Sequence, residues 1–265
     1  FENIEGKVGI VRPTFEEYPN RLKPEQIVTY QAQCPDFSYS ADDLMTYFAD
    51  KDIQSLLLIN PDNPTGNYIP YADCLRLADW CQQRNILFVL DESFIDFSVE
   101  HPTFFKDDIL EQYSNLVVIK SISKSYGVPS LRLGILATSN VDIMTVIRRS
   151  VSIWNINSFA EFFLQILGKY EASYQQAMDE FRAERARFVD ELHKIGFLRV
   201  LPSEANYLLC EVKQPHTPRE LAIRLLKDYD ILIKDCTSKC NAPYIRIAVR
   251  DTVDNNRLID AFSKL

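Results

Sequence analysis

The chain has 265 residues, 46% of them hydrophobic and 25% charged, and a net charge of −8. These proportions belong to a folded globular protein and exclude disordered, collagenous and fibrous classes. With 29 basic residues against 37 acidic ones and no long basic run, the chain is not built as a general nucleic-acid binder, although a local cationic pocket for a small anion stays open.

Through the first half, apolar β-rich runs alternate with helical stretches. Residues 6–11, 25–31, 55–60, 86–91, 116–122 and 131–138 read as strands, several of them continuously apolar, as expected of strands buried on both faces. Ala41–Asp50 and Tyr71–Arg84 have helical spacing, the second with Pro70 just ahead of it as a start signal. Strand–helix–strand repetition predicts an α/β fold with a mainly parallel sheet covered by helices. Beyond residue 140 the pattern changes. Residues 159–194 predict one or two long helices, and the rest mixes strands at 197–201, 206–212, 231–234 and 244–249 with helices near 218–228 and 252–263. This predicts a large unit over residues 1–155 and a long helical linker with a smaller α+β unit over 156–265.

No apolar run reaches the roughly 18 residues of a membrane span, and FENIEGKVGIV carries acids where a secretion signal is basic. Cys34, Cys74, Cys81, Cys210, Cys236 and Cys240 are too sparse for a disulfide framework, and Cys74 and Cys81 share one helix face, read as buried. Cys236 and Cys240 lack the second ligand pair that a zinc site needs. Reduced thiols in the cytoplasm are the expectation. With only 7 glycines and no glycine-rich loop after the first strand, a nucleotide-binding doubly wound domain is disfavoured.

In open parallel sheets, ligands bind beyond the carboxyl ends of the strands. There the chain places Asn63 in the turn NPDNPTG, Asp91 at the end of ILFVLD, and Ser121, Ser123, Lys124 and Arg132 after LVVIK. Taken singly, Lys124 reads as a solvated lysine, Asp91 as a helix cap and NPDNPTG as a tight turn. Their convergence matches the needs of pyridoxal phosphate (PLP): an amine for its aldehyde, a carboxylate for its ring nitrogen, and hydroxyls and a guanidinium for its phosphate. A lysine buried at such a site has its charged form disfavoured and serves as a neutral nucleophile.

The blocks NPDNPTG, VLDESFIDF and SISKSYGVPSLRLGI, with RPTFEEY, WNINSFAE, ANYLL and YIRIAV, resemble the signature blocks of fold-type I PLP enzymes, the class I/II aminotransferases. Within them the likeness is to histidinol-phosphate aminotransferase and threonine-phosphate decarboxylase. The resemblance implies that Lys124 holds the cofactor and moves the proton at Cα, that Asp91 pairs with the ring nitrogen, and that Asn63 bonds the ring phenolate oxygen. It gives Ser121, Ser123 and Arg132 to the cofactor phosphate, Phe15 to the ring face, and Arg246 to the substrate α-carboxylate. No metal is implied.

Two departures stand out. Where many members read DEAY, this chain reads Asp91-Glu92-Ser93-Phe94, and Phe94 cannot donate a hydrogen bond to the phenolate oxygen. That feature leans toward the decarboxylase branch. The chain also starts close to the PTF block, inside what the family uses as its cofactor domain, so the large unit is expected to be N-terminally incomplete. The implied activity is that of a PLP-dependent aminotransferase on a histidinol-phosphate-like amino acid. The alternatives are a PLP-dependent decarboxylase of a phosphorylated amino acid, or a fragment without activity. A homodimer with a small-molecule substrate, and no nucleic-acid or membrane partner, completes the expectation.

Overall fold

The computed structural model describes residues 6–265. Strands β1 (Val8–Arg12), β2 (Ile27–Gln31), β3 (Ser55–Ile59), β4 (Leu87–Asp91), β5 (Leu116–Ser121) and β6 (Gly134–Ala137) form one sheet in the order β2-β1-β3-β4-β5-β6. All neighbours are parallel except β6, which runs antiparallel to β5. The continuous apolar runs have the cause inferred for them. Leu56, Leu58, Phe88, Leu90, Leu116 and Val118 pack into one core, while Leu57, Val89 and Val117 pack into a second on the opposite face.

Helices α1 (Glu17–Asn20), α2 (Ala41–Phe48), α3 (Tyr71–Gln83) and α4 (Asp107–Gln112) connect these strands. Ser40 caps α2 by accepting from the Asp43 amide, and α2 and α3 bury Leu44, Phe48, Cys74, Leu77 and Cys81 on the larger core. Cys74 and Cys81 thus share the expected buried face, and all six cysteines are free thiols. After β6 come α5 (Val141–Ser150), α6 (Ser158–Leu167) and α7 (Glu171–Leu192). The long helical stretch is two helices, divided by a short 3₁₀ turn at Gly168–Tyr170. Helix α5 lies where no element was expected, and the Asn140 side chain caps it by accepting from the Ile143 amide.

Strands β7 (Leu198–Val200), β8 (Tyr207–Val212), β9 (Lys234–Asp235) and β10 (Tyr244–Ala248), with α8 (Pro218–Tyr229), α9 (Thr237–Cys240) and α10 (Thr252–Phe262), form the smaller unit. Its antiparallel sheet runs β7-β8-β10-β9. Period-two alternation gives it two faces. Leu208, Cys210, Ile245 and Ile247 pack with α7, α8 and α10, whereas Leu209 and Tyr244 join the core of the large sheet. The small sheet is therefore clamped between its own helices and the large unit.

Two strands are shorter than the sequence implies. After Pro129–Leu131 forms a 3₁₀ turn, Arg132 takes a left-handed backbone (φ +58°), so β6 starts only at Gly134. In the 231–234 run, Leu232 stays exposed and pairing with β10 begins only at Lys234. Among the described residues no helix is long and apolar enough to cross a membrane.

Candidate active site

The carboxyl ends of β1, β3, β4 and β5 meet the small sheet at a cavity of about 840 Å³. Arg12, Phe15 and Glu16 reach it from β1 and the segment after it, Asn63 and Pro64 from the turn after β3, Phe94 from beyond β4, and Lys124 from beyond β5. The small sheet adds Tyr207, Lys234, Asp235 and Arg246, and α9 adds Ser238 and Lys239. Gly66 makes the junction possible. Its backbone is left-handed (φ +78°), and a Cβ there would lie 2.1 Å from Ser203 Oγ and 2.9 Å from Ser203 Cα, so any side chain would displace the loop that carries Glu204 and Tyr207.

Arg246 Nη1 donates to Asn63 Oδ1 at 2.7 Å, and the guanidinium lies 5.0 Å from the centre of the Tyr207 ring. The Tyr207 hydroxyl in turn donates to the Asp62 backbone carbonyl at 2.6 Å, and Phe94 packs edge-on against the same ring at 5.2 Å. Arg246 is thus fixed from two sides. Asp91 is buried at the end of β4, accepting from Tyr18 at 2.5 Å and from the Ser93 amide at 2.8 Å. Burial raises its pKa, while these hydrogen bonds and the positive charge of Lys124 oppose the rise. Nearby, burial pushes the Asp62 and Glu92 carboxyls up to about 7, against the bonds that Thr65 and Thr103 donate to them.

Lys124 is exposed at the cavity rim and makes no hydrogen bond or ion pair among the described residues. The expectation of a buried lysine is corrected: the cavity is wide and the amine projects into it rather than into packed side chains. Neighbouring residues are tied down instead. Lys120 pairs with Asp96 at 2.5 Å and Ser125 donates to the other Asp96 oxygen at 2.6 Å, so the segment carrying Lys124 is anchored on both sides.

Of the sequence-predicted residues, Phe15, Asn63, Lys124 and Arg246 share the cavity, with Asp91 buried close by. Ser121, Ser123 and Arg132 are not among its lining residues. The Ser121 amide donates to Ser93 Oγ at 3.0 Å, Ser123 Oγ donates to the Leu133 carbonyl at 3.4 Å, and the exposed Arg132 donates to the Pro129 carbonyl at 3.1 Å. Sequence reading missed Tyr18, Tyr207, Lys234 and Lys239. The two lysines had no local signal, because only the fold brings β9 and α9 to the strand ends.

The sequence model described as "Aminotransferase class I and II" matches residues 2–262. The chain belongs to the class I and II aminotransferases. It is 33% identical over 257 residues to threonine-phosphate decarboxylase of Salmonella typhimurium, covering 95% of this chain and 69% of that protein. It is 31% identical over 265 residues to CMP-5'-(3-aminopropyl)phosphonate synthase of Streptomyces rubellomurinus, covering 99% of this chain but spanning only 42% of that relative's length. Among solved structures, the histidinol-phosphate aminotransferase of Clostridium acetobutylicum superposes with a TM-score of 0.87 at 28% identity, covering 98% of this chain and 77% of that one.

Members of this aminotransferase family use PLP, and the cavity fits much of that group. It offers an amine with no hydrogen-bond or ion-pair partner among the described residues (Lys124), a buried carboxylate (Asp91), an amide (Asn63) and a half-exposed aromatic ring (Phe15, 44% exposed). The phosphate-binding set is the exception: Arg132 would have to release the Pro129 carbonyl to serve it.

Proposed function

We propose that this chain carries the PLP site of an enzyme that breaks a Cα bond of an amino acid whose side chain bears a phosphoryl group. One observation carries the reading. In a protein of net charge −8, the cavity is lined by Arg12, Lys124, Lys234, Lys239 and Arg246 against only Glu16 and Asp235, and among the described residues Arg12 is the one of these cations that forms an ion pair, with Glu16 at 3.0 Å. Four cations without an ion pair among the described residues suit a polyanionic ligand, drawn in by the local field.

PLP, when bound, supplies an electron sink for the pair left at Cα. Asp91 would keep a proton on the ring nitrogen, Asn63 would donate to the ring oxygen, and Phe15 would cover a ring face. Lys124 would hold the cofactor and move a proton at Cα. Arg246, fixed by Asn63 and Tyr207, holds one substrate anion. That anion decides the reaction. If Arg246 holds the α-carboxylate, the C–H bond is the one left to break, giving transamination. If Arg246 holds the other anion, the carboxylate is free to leave as carbon dioxide.

Decarboxylation is the favoured outcome, supported by the 33% identity to threonine-phosphate decarboxylase and by Phe94 in place of a tyrosine. Transamination is the second reading, supported by the superposition on a histidinol-phosphate aminotransferase. The test is incubation of the PLP-loaded protein with O-phospho-L-threonine and O-phospho-L-serine, and with L-histidinol phosphate, which has no carboxylate and reports transamination alone. Carbon dioxide with a phosphorylated amine supports the first reading, and a keto product with an aminated cofactor supports the second. With neither product, and with borohydride fixing no PLP on Lys124, the enzyme reading fails for this chain.

A homodimer is proposed as well. Val151, Ile153, Trp154, Ile156, Phe159 and Phe162 form an exposed apolar run, with Ile153 93% and Trp154 91% exposed. So many exposed large apolar side chains in one short segment mark an interaction face.

A further inference from the structure

Lys234, Lys239, Lys124 and Arg246 are not equivalent as anion ligands. Arg246 is held by Asn63 and Tyr207 and is assigned to one substrate anion, Lys124 stands at the reacting end, and Lys234 is exposed on β9. Lys239 differs. It is half-buried on the cavity wall, and no carboxylate or carbonyl of the described residues accepts a hydrogen bond or ion pair from it.

Its position is also firm. Helix α9 is a single turn, pinned by Cys236 and Cys240, which are buried in the core of the large sheet. The Cys236 amide donates to the Tyr244 carbonyl at 2.8 Å, which fixes the start of that turn to β10, the strand carrying Arg246. Ser238, beside Lys239, also lines the cavity and leaves its hydroxyl unbonded among the described residues. A half-buried ammonium without a partner is costly, and an incoming anion relieves that cost. The three rotatable donors of an ammonium, with a hydroxyl beside it, suit the several oxygens of a tetrahedral phosphoryl group.

We propose that Lys239, with the Ser238 hydroxyl, is the specificity-determining contact that selects substrates bearing a side-chain phosphoryl group. The inference rests on the reading of the cavity as a site for phosphorylated amino acids. Burial lowers the pKa of Lys239, and the charge of Arg246 acts in the same sense, while Glu16, Cys236 and Asp62 oppose it. A bound phosphoryl dianion would hold the lysine in its charged form. Lys239 touches no reacting atom, so its loss should change recognition and leave chemistry on a bound substrate in place.

The experiment is a calorimetric titration of the chain, with and without PLP, using O-phospho-L-serine and L-serine as probes on wild type, K239M and K239R. Wild type is expected to favour the phosphorylated probe by about tenfold or more, K239M to lose that preference with L-serine binding unchanged, and K239R to recover much of it. Circular dichroism on each variant checks folding, and K239Q replaces K239M if the latter does not fold. A wild-type preference that survives in K239M overturns the role of Lys239 and leaves the proposed function standing. A wild type with no preference, including no binding of either probe, overturns both.

Discussion

The Tyr18 phenol donates to Asp91 Oδ2 at 2.5 Å across 73 residues of sequence. Asp91 is buried, which favours its neutral form, and Tyr18 with the Ser93 amide works against that by bonding the carboxylate. Tyr18 therefore acts as a positioning residue for the proposed ring-nitrogen partner. In Y18F the Asp91 pKa should rise further, so its charge is lost sooner as pH falls. PLP binding should weaken by about tenfold, with a wider gap from wild type at pH 6 than at pH 8. Equilibrium dialysis at both values checks this, with D91N as the reference for complete loss. A profile that Y18F leaves unmoved would remove Tyr18 from that positioning role.

Arg246 tests the substrate end. A lysine at this position keeps the charge but loses the fork that holds Asn63 and lies over Tyr207. R246K should therefore bind O-phospho-L-serine roughly 10–100-fold more weakly, while the helix-covered core of Ile245 and Ile247 keeps the fold intact. Wild-type affinity in R246K would place the substrate anion elsewhere in the cavity.

Glu184 makes a claim on acid stability. It accepts from Arg187 at 2.7 Å, Thr252 at 2.9 Å and Asn255 at 2.7 Å, tying α7 to α10. Its pKa is lowered to about 2, first by the Arg187 hydrogen bond. A carboxylate lowered on folding stabilises fully above its unfolded pKa and loses that contribution as pH falls through the folded value. The E184Q variant should thus be less stable than wild type by roughly 1–2 kcal/mol at pH 7, and the difference should close toward pH 2. Denaturant melts across that range read it directly. A gap that persists at pH 2 would assign the effect to packing instead of charge.

The exposed apolar run after α5 predicts association. W154S/F159S should reduce the sedimentation coefficient of a wild-type dimer to that of a monomer without lowering secondary-structure content. A wild type that already sediments as a monomer, with no shift in the variant, would remove the proposed dimer face.

The sequence by itself determined the strands of the large sheet and the placing of Asn63, Asp91 and Lys124 beyond their carboxyl ends. Continuous apolar runs are sufficient evidence for strands buried on both faces, and β3, β4 and β5 fall where those runs do. Strand ends are also where Asn63, Asp91 and Lys124 were found, because a parallel sheet delivers every carboxyl end to one rim. What only the tertiary structure decided was the other wall. The alternation in β10 tells that Ile245 and Ile247 share one face and Tyr244 and Arg246 the other, but not which face meets the large sheet. Packing settles that: α7, α8 and α10 cover the isoleucine face, so Arg246 turns toward Asn63. The same packing turns Lys234 and Lys239 into cavity residues, and it leaves Lys124 in an open cavity instead of a core. Local sequence carries the periodicity of each element, whereas the charge assembled at a site depends on contacts between residues as far apart as Asn63 and Arg246, and no window of sequence contains both.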